Sequence, residues 1–138
     1  MKSLSHIPMK TVTSGYRSIK DGSRFNAYFP PPDERDRVII NDGEVTDTVE
    51  LMEKVVWKYL DDTKRIAPLL QRSSTIETCQ AIWEFVYQFI QYKLDKRGLE
   101  QLRRPARSWA ERSTGVDCDC MSIFVSSILT NLQIPHSF

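Results

Sequence analysis

The sequence predicts a mainly α-helical chain with an extended N-terminal arm and little sheet. Apolar residues recur at helical spacing in three segments after residue 47, and two of those segments open on capping boxes. Ahead of them, Phe29-Pro30-Pro31-Pro32-Asp33 is a stretch that no helix accommodates. Residues 1–46 mix glycine, serine and charge around that proline run, and they read as an extended or partly disordered arm, polyproline-like at its centre. Within the arm, Val38-Ile39-Ile40 before Asn41-Asp42-Gly43 has the form of a short strand and turn. Its partner after Gly43 is cut short at Val45 by the next helix start.

The helices follow in order. Asp47 and Glu50 form the first capping box, and Val49, Met52, Val55, Val56, Tyr59 and Leu60 then recur at helical spacing. Residues 64–71 continue as a broken turn around Pro68. Ser74 and Glu77 open a second helix that reaches Tyr92, with Cys79, Ile82, Trp83, Val86, Phe89 and Ile90 on its apolar face. That spacing makes Cys79 and Trp83 core residues. The third helix runs from Cys118 to Leu132 and buries Phe124, Ile128 and Leu132, helped by Ile123, Val125 and Leu129. Its four-residue step from Cys120 through Phe124 and Ile128 to Leu132 puts Cys120 on the core side. Cys118 lies half a turn away and faces a cleft.

Composition bounds the function. A chain of 138 residues with 41% hydrophobic content is long enough for one domain with its own core. Its net charge of +1 argues against a dedicated nucleic-acid binder. No run approaches the roughly eighteen apolar residues of a membrane span, so no membrane partner is expected. The first eight residues hold no apolar signal-peptide core, which makes a cytoplasmic product the expectation. Cys118 and Cys120 are too close for an easy mutual disulfide, and the three cysteines read as reduced thiols.

The chemistry concentrates in Gly115-Val-Asp-Cys118-Asp-Cys120. A thiol at a helix N-terminus sits among unpaired backbone N–H groups and the positive end of the helix dipole, both of which favour a thiolate. Asp117 and Asp119 pull the other way, because neighbouring carboxylates raise a thiol pKa. A metal reading of Asp117, Cys118, Asp119, Cys120 and His136 is disfavoured. On a helix start Cys118 and Cys120 point about 200° apart and do not converge on one ion.

Cys118 and Asp119, followed by Phe124, Ile128, Leu129, Leu132, Ile134 and Pro135, resemble the cysteine helix of the transglutaminase-like superfamily, a branch of the papain-like thiol enzymes. In that family the nucleophile lies seventeen residues before the proline of a Gly-Ile-Pro turn. Pro135 stands at that distance from Cys118, with Gln133 in the place of the glycine. Upstream, Ile82-Trp83-Glu84-Phe85-Val86 and Ile90-Gln91-Tyr92 are similar to the helix before the cysteine loop. The resemblance implies an α+β fold of the transglutaminase-like or papain-like type, of which residues 47–138 are the helical part. It implies acyl transfer from a carboxamide or peptide carbonyl to Cys118, a protein or peptide substrate, and no cofactor or metal. It also implies a histidine base and an orienting aspartate on strands beyond the cysteine helix.

The only histidines are His6, read as solvated, and His136, read as a surface residue at a strand entry. The chain alone is therefore expected to show negligible turnover and to self-associate through uncovered apolar surface. The alternative is a non-catalytic interaction scaffold, or a truncated fragment of the same fold. Between the second and third helices, residues 93–112 carry a local charge of +4, from seven lysines and arginines against three acids. They read as solvated surface, or as a loop that borders a cleft or neutralises Asp117 and Asp119. Trp109 reads as an anchor of that loop or as a wall of the cysteine site.

Overall fold

The computed structural model describes residues 16–33, 37–41, 45–95 and 99–138, and the backbone alone at 37–41, 45–47 and 99–100. In chain order the elements are a 3-10 helix (Ser23–Tyr28), β1 (Arg37–Asn41), α1 (Val45–Lys58) and a second 3-10 helix (Leu60–Thr63). They continue through α2 (Ala67–Leu70), α3 (Thr75–Phe89), β2 (Leu99–Arg103), α4 (Pro105–Ala110) and α5 (Cys118–Asn131). The chain is mainly helical, as expected. The described sheet consists of β1 and β2, antiparallel, with Arg37 opposite Arg103 and Asn41 opposite Leu99. The Val38–Ile40 strand thus exists, but its partner comes from far along the chain and not from a hairpin after Gly43. No described helix is long and apolar enough to cross a membrane.

Helix α5 is the axis of the molecule. It packs against α1, α2, α3, α4, β2 and the Leu60–Thr63 turn. The sequence dictates this centrality, because Cys120, Ile123, Phe124, Ser127 and Ile128 are all fully buried and leave little of the helix circumference polar. On one side Phe124 and Ile128 join Ile66, Ile82, Phe85, Phe89, Trp109 and Val116, and on the other Ile123 joins Met52, Val55, Val56 and Leu102. Each such buried side chain contributes about 2 kcal/mol by leaving water. Serine and asparagine on α5 face the second 3-10 turn. The Thr63 and Ser127 hydroxyls share a hydrogen bond, and Asn131 donates to the Leu60 carbonyl at 2.9 Å and to Thr63 Oγ1 at 2.8 Å.

Helix α3 starts where its capping box predicts: Ser74 Oγ accepts the Glu77 N–H at 3.1 Å and donates to Glu77 Oε1 at 3.1 Å. It ends at Phe89, three residues short of Tyr92, because Ile90 turns extended and the chain enters a parallel bridge between Tyr92 and Val116. Helix α1 begins at Val45, so Asp47 lies inside the helix and not at its cap. Two core assignments on α3 are corrected. Trp83 is 61% exposed and Cys79 is exposed. The buried stripe is centred on Thr78, Ile82, Phe85 and Phe89, which leaves Trp83 and Cys79 at its edge.

The basic segment is also corrected, since it is not a solvated surface run. Most of its described residues form β2 and α4, and Arg103 and Arg107 are each 7% exposed, although Lys93 stays on the surface. Arg103 Nε lies 2.8 Å from Glu111 Oε1, and Arg107 reaches the same carboxylate and donates to the Asp33 carbonyl. Arg104 forms a bidentate pair with Asp62, at 2.8 and 2.6 Å, and Asp62 also accepts the Ala106 N–H at 2.9 Å. Asp62 thereby caps the N-terminus of α4 from 44 residues away. Trp109 is the anchor: it is 3% exposed, stacks on Phe29 at 4.7 Å, and donates through Nε1 to Asn26 Oδ1. Residues 16–33 of the N-terminal stretch are therefore packed against the helices around Phe29.

Candidate functional site

The loop into α5 is held on both sides. Lys93 donates to the Val116 carbonyl at 2.9 Å, Val116 donates to the Gln91 carbonyl at 2.9 Å, and Gln91 donates to that of Arg112 at 2.8 Å. Gly115 makes the turn possible. Its φ of 112° lies in the region that side chains avoid, and a Cβ there would stand 2.6 Å from Lys93 Cβ. Asp117 follows in extended conformation as the N-cap, its Oδ1 accepting the Cys120 N–H at 3.2 Å. Cys118 then occupies the first helical position, exposed to solvent.

The two thiols divide as their spacing predicts. Cys120 is fully buried, donates to the Gln101 carbonyl at 3.0 Å and accepts from Arg103 Nη1 at 3.2 Å. Burial pushes its pKa up to about 12, Arg103 notwithstanding, so it is a neutral structural thiol. Cys118 points outward with Asp119 Oδ1 3.9 Å from its sulfur. Its pKa is also raised, first by partial desolvation and then by Asp119 and Asp117. The N–H groups of Cys118 and Asp119 favour the thiolate but are outweighed. Partial desolvation, with the flanking acids behind it, thus outweighs the helix end, and the resting form at neutral pH is the thiol.

Asp117 is itself perturbed. It is 4% exposed and its pKa rises from 3.8 to about 6, through burial and then through a hydrogen bond to the Asp95 carboxyl. Asp95 in turn accepts the Gln101 N–H at 2.9 Å and lies 3.7 Å from Arg103 Nη1. Arg103 therefore serves Asp95, Glu111 and Cys120. Tyr92 stands beside this cluster, its phenol pKa raised by desolvation and by the charges of Cys118, Asp117, Asp119 and Asp95. Asp95 and Tyr92 carry no sequence signature of their own; the bridge between Tyr92 and Val116 is what brings them here.

His136 is elsewhere. Its Nε2 is 2.6 Å from Ser126 Oγ and its Nδ1 2.8 Å from the Ile134 carbonyl, an arrangement met by the neutral tautomer with the proton on Nδ1. Ser126 lies eight residues along α5 from Cys118, about 12 Å at 1.5 Å per residue, out of reach of the thiol. Among the described residues no group of three histidine, cysteine or carboxylate side chains is placed to hold a metal ion. A groove of about 730 Å³ opens between α3 and α5, lined by Cys79, Trp83, Tyr87, Tyr92, Met121 and Val125. Tyr92 is common to the groove and to the surroundings of Cys118. Set against known proteins, the chain matches no family model, no curated protein and no solved structure.

Proposed function

We propose that Cys118 is the nucleophile of a transglutaminase-like thiol acyl-transfer domain, whose base and orienting carboxylate come from outside the residues around the sulfur. One observation carries the reading: of two cysteines in one helical turn, Cys118 is exposed at the first position of a capped helix and Cys120 is locked in the core. The exit of that helix supports it as well. Gln133 takes a positive φ of 60°, the conformation that favours the glycine of the Gly-Ile-Pro pattern, just before Ile134-Pro135. In the reaction, a base removes the thiol proton, the sulfur attacks the carbonyl carbon, and the protonated amine or ammonia departs to leave a thioester. Water or a second amine then resolves it. The Cys118 N–H, unpaired at the helix start, is the donor nearest to a developing oxyanion.

The raised thiol pKa favours a second reading, a scaffold in which Cys118 does no chemistry. Stoichiometric acylation by a p-nitrophenyl ester separates the two. Across a rising pH series, the nucleophile reading expects Cys118 to acylate at least about tenfold faster than Cys79 once thiolate forms, and Cys118→Ser to abolish that phase. Equal rates at the two exposed cysteines would establish the scaffold. Turnover of amide substrates is expected to be negligible, and measurable Cys118-dependent hydrolysis would overturn the view that the base lies outside these residues.

A further inference from the structure

Ser126 and His136 form a pair that the Cys118 reading does not use. Their contacts fix the direction of the proton. His136 Nδ1 stands 2.8 Å from the Ile134 carbonyl, which only accepts, so in the neutral ring Nδ1 carries the proton and Nε2 presents a lone pair. Ser126 Oγ, 2.6 Å from that Nε2, is then the donor. A serine inside a helix ordinarily gives its proton to the carbonyl one turn back. Here the proton points at an imidazole, and a third group holds that imidazole in its tautomer. Nucleophile, base and orienting acceptor in hydrogen-bond sequence are the arrangement that activates a hydroxyl for acyl transfer.

The pair sits where two grooves meet. One is the groove of about 730 Å³ between α3 and α5, and the other, of about 570 Å³, lies between α1 and residues 126–138. Ser126, His136, Ser137 and Phe138 line both. Ser126 is 6% exposed and His136 is exposed, so the hydroxyl is shielded from bulk water while the imidazole is open to a ligand. Trp83, Val86, Val125 and Leu129 wall the first groove, which suits an apolar acyl group. The second sets Glu53, Thr130 and Gln133 among Val56 and Trp57, a more polar wall for the alcohol part of an ester. Ser122 and Ser137, which also line the first groove, supply hydroxyl donors for a developing oxyanion.

We propose that Ser126 and His136 are the nucleophile and base of a second acyl-transfer site, one that takes carboxylic esters of apolar acids. Ser126 Oγ attacks the ester carbonyl carbon as its proton passes to His136 Nε2, and the alcohol leaves with that proton. Water, deprotonated by His136, then attacks the acyl-serine, the acid departs, and the proton returns to Ser126 Oγ. An alkyl fluorophosphonate applied to the whole chain, followed by peptide mapping, tests the assignment. One phosphonyl group on Ser126 is expected, with Ser122 unmodified. His136→Ala, at an exposed position away from the core, is expected to slow that labelling at least about 100-fold. Cys118→Ala protein separates the site from thioester chemistry at Cys118. In it, p-nitrophenyl hexanoate is expected to turn over many times per chain, and the fluorophosphonate to stop it. The label on the parent chain needs no variant, so it decides the assignment even where a variant fails to fold. Absence of label on Ser126, labelling undiminished in His136→Ala, or ester turnover that is missing or that survives complete labelling overturns the proposal. The pair would then be a tether that holds residues 134–138 to α5.

Discussion

Asp117 serves two ends that conflict at neutral pH. As N-cap it must present an acceptor to the Cys120 N–H, and as a nearly buried carboxyl beside Asp95 it resists ionisation. Its folded pKa of about 6 stands above the 3.8 of the free side chain, so between those values the folded chain holds more protons than the unfolded one. Stability therefore falls as pH rises through that window and levels off above it. Asp117→Asn keeps the acceptor and removes the charge. Thermal melts from about pH 4 to 8 are expected to show the variant gaining on the parent chain up to about pH 6 and holding a constant advantage beyond. The same variant lifts one carboxylate from the surroundings of Cys118, so iodoacetamide labelling of Cys118 at pH 7 is expected to quicken. An unchanged rate would leave Asp119 and desolvation as the whole cause of the raised thiol pKa. At this scale the division between Cys118 and Cys120 was legible, because a four-residue step fixes which side of a helix a thiol occupies. The Asp95 contact was not, because nothing local to Asp95 marks it as a neighbour of a residue 22 positions away.

The helices were legible where the signal is local and hidden where a tertiary partner decides. Ser74 and Glu77 announce α3 because a capping box is satisfied within four residues. Trp83 and Cys79 were misplaced because periodicity reveals that a stripe exists, not whether Ile82 or Trp83 lies at its centre; Phe85, filling the core against Trp109 and Phe124, settles that. Arg103 and Arg107 looked solvated because composition shows charge and not the Glu111, Cys120 and Asp33 groups that receive it. The connecting loops carry a comparable constraint at Gly115. Gly115→Ala forces a side chain into positive φ and against Lys93, and is expected to cost about 2 kcal/mol in urea melts. Because Gly115 lies three residues before Cys118, the variant is also expected to change the Cys118 labelling rate while Cys79 labels as before.

For the molecule as a whole, a polar group that ties distant segments together is Asp62, 1% exposed, which holds Arg104 and caps α4. Asp62→Ala leaves Arg104 without its carboxylate and the Ala106 N–H without an acceptor, and is expected to destabilise the chain by about 3 kcal/mol in chemical denaturation. A loss below about 1 kcal/mol would mean that water replaces the carboxylate at that helix end. The arrangement also bears on the order in which the chain acquires structure. A six-residue helix such as α4 is far too short to persist alone, and the group that secures its first turn arrives from a segment 44 residues earlier. Helix α4 therefore depends on the Asp62 turn for its first turn and is not expected to persist without it. Its Ala106 amide exchanges with solvent deuterium only when the Asp62 turn and α4 come apart together, which makes that single proton a gauge of whether the two halves of the chain open as one unit.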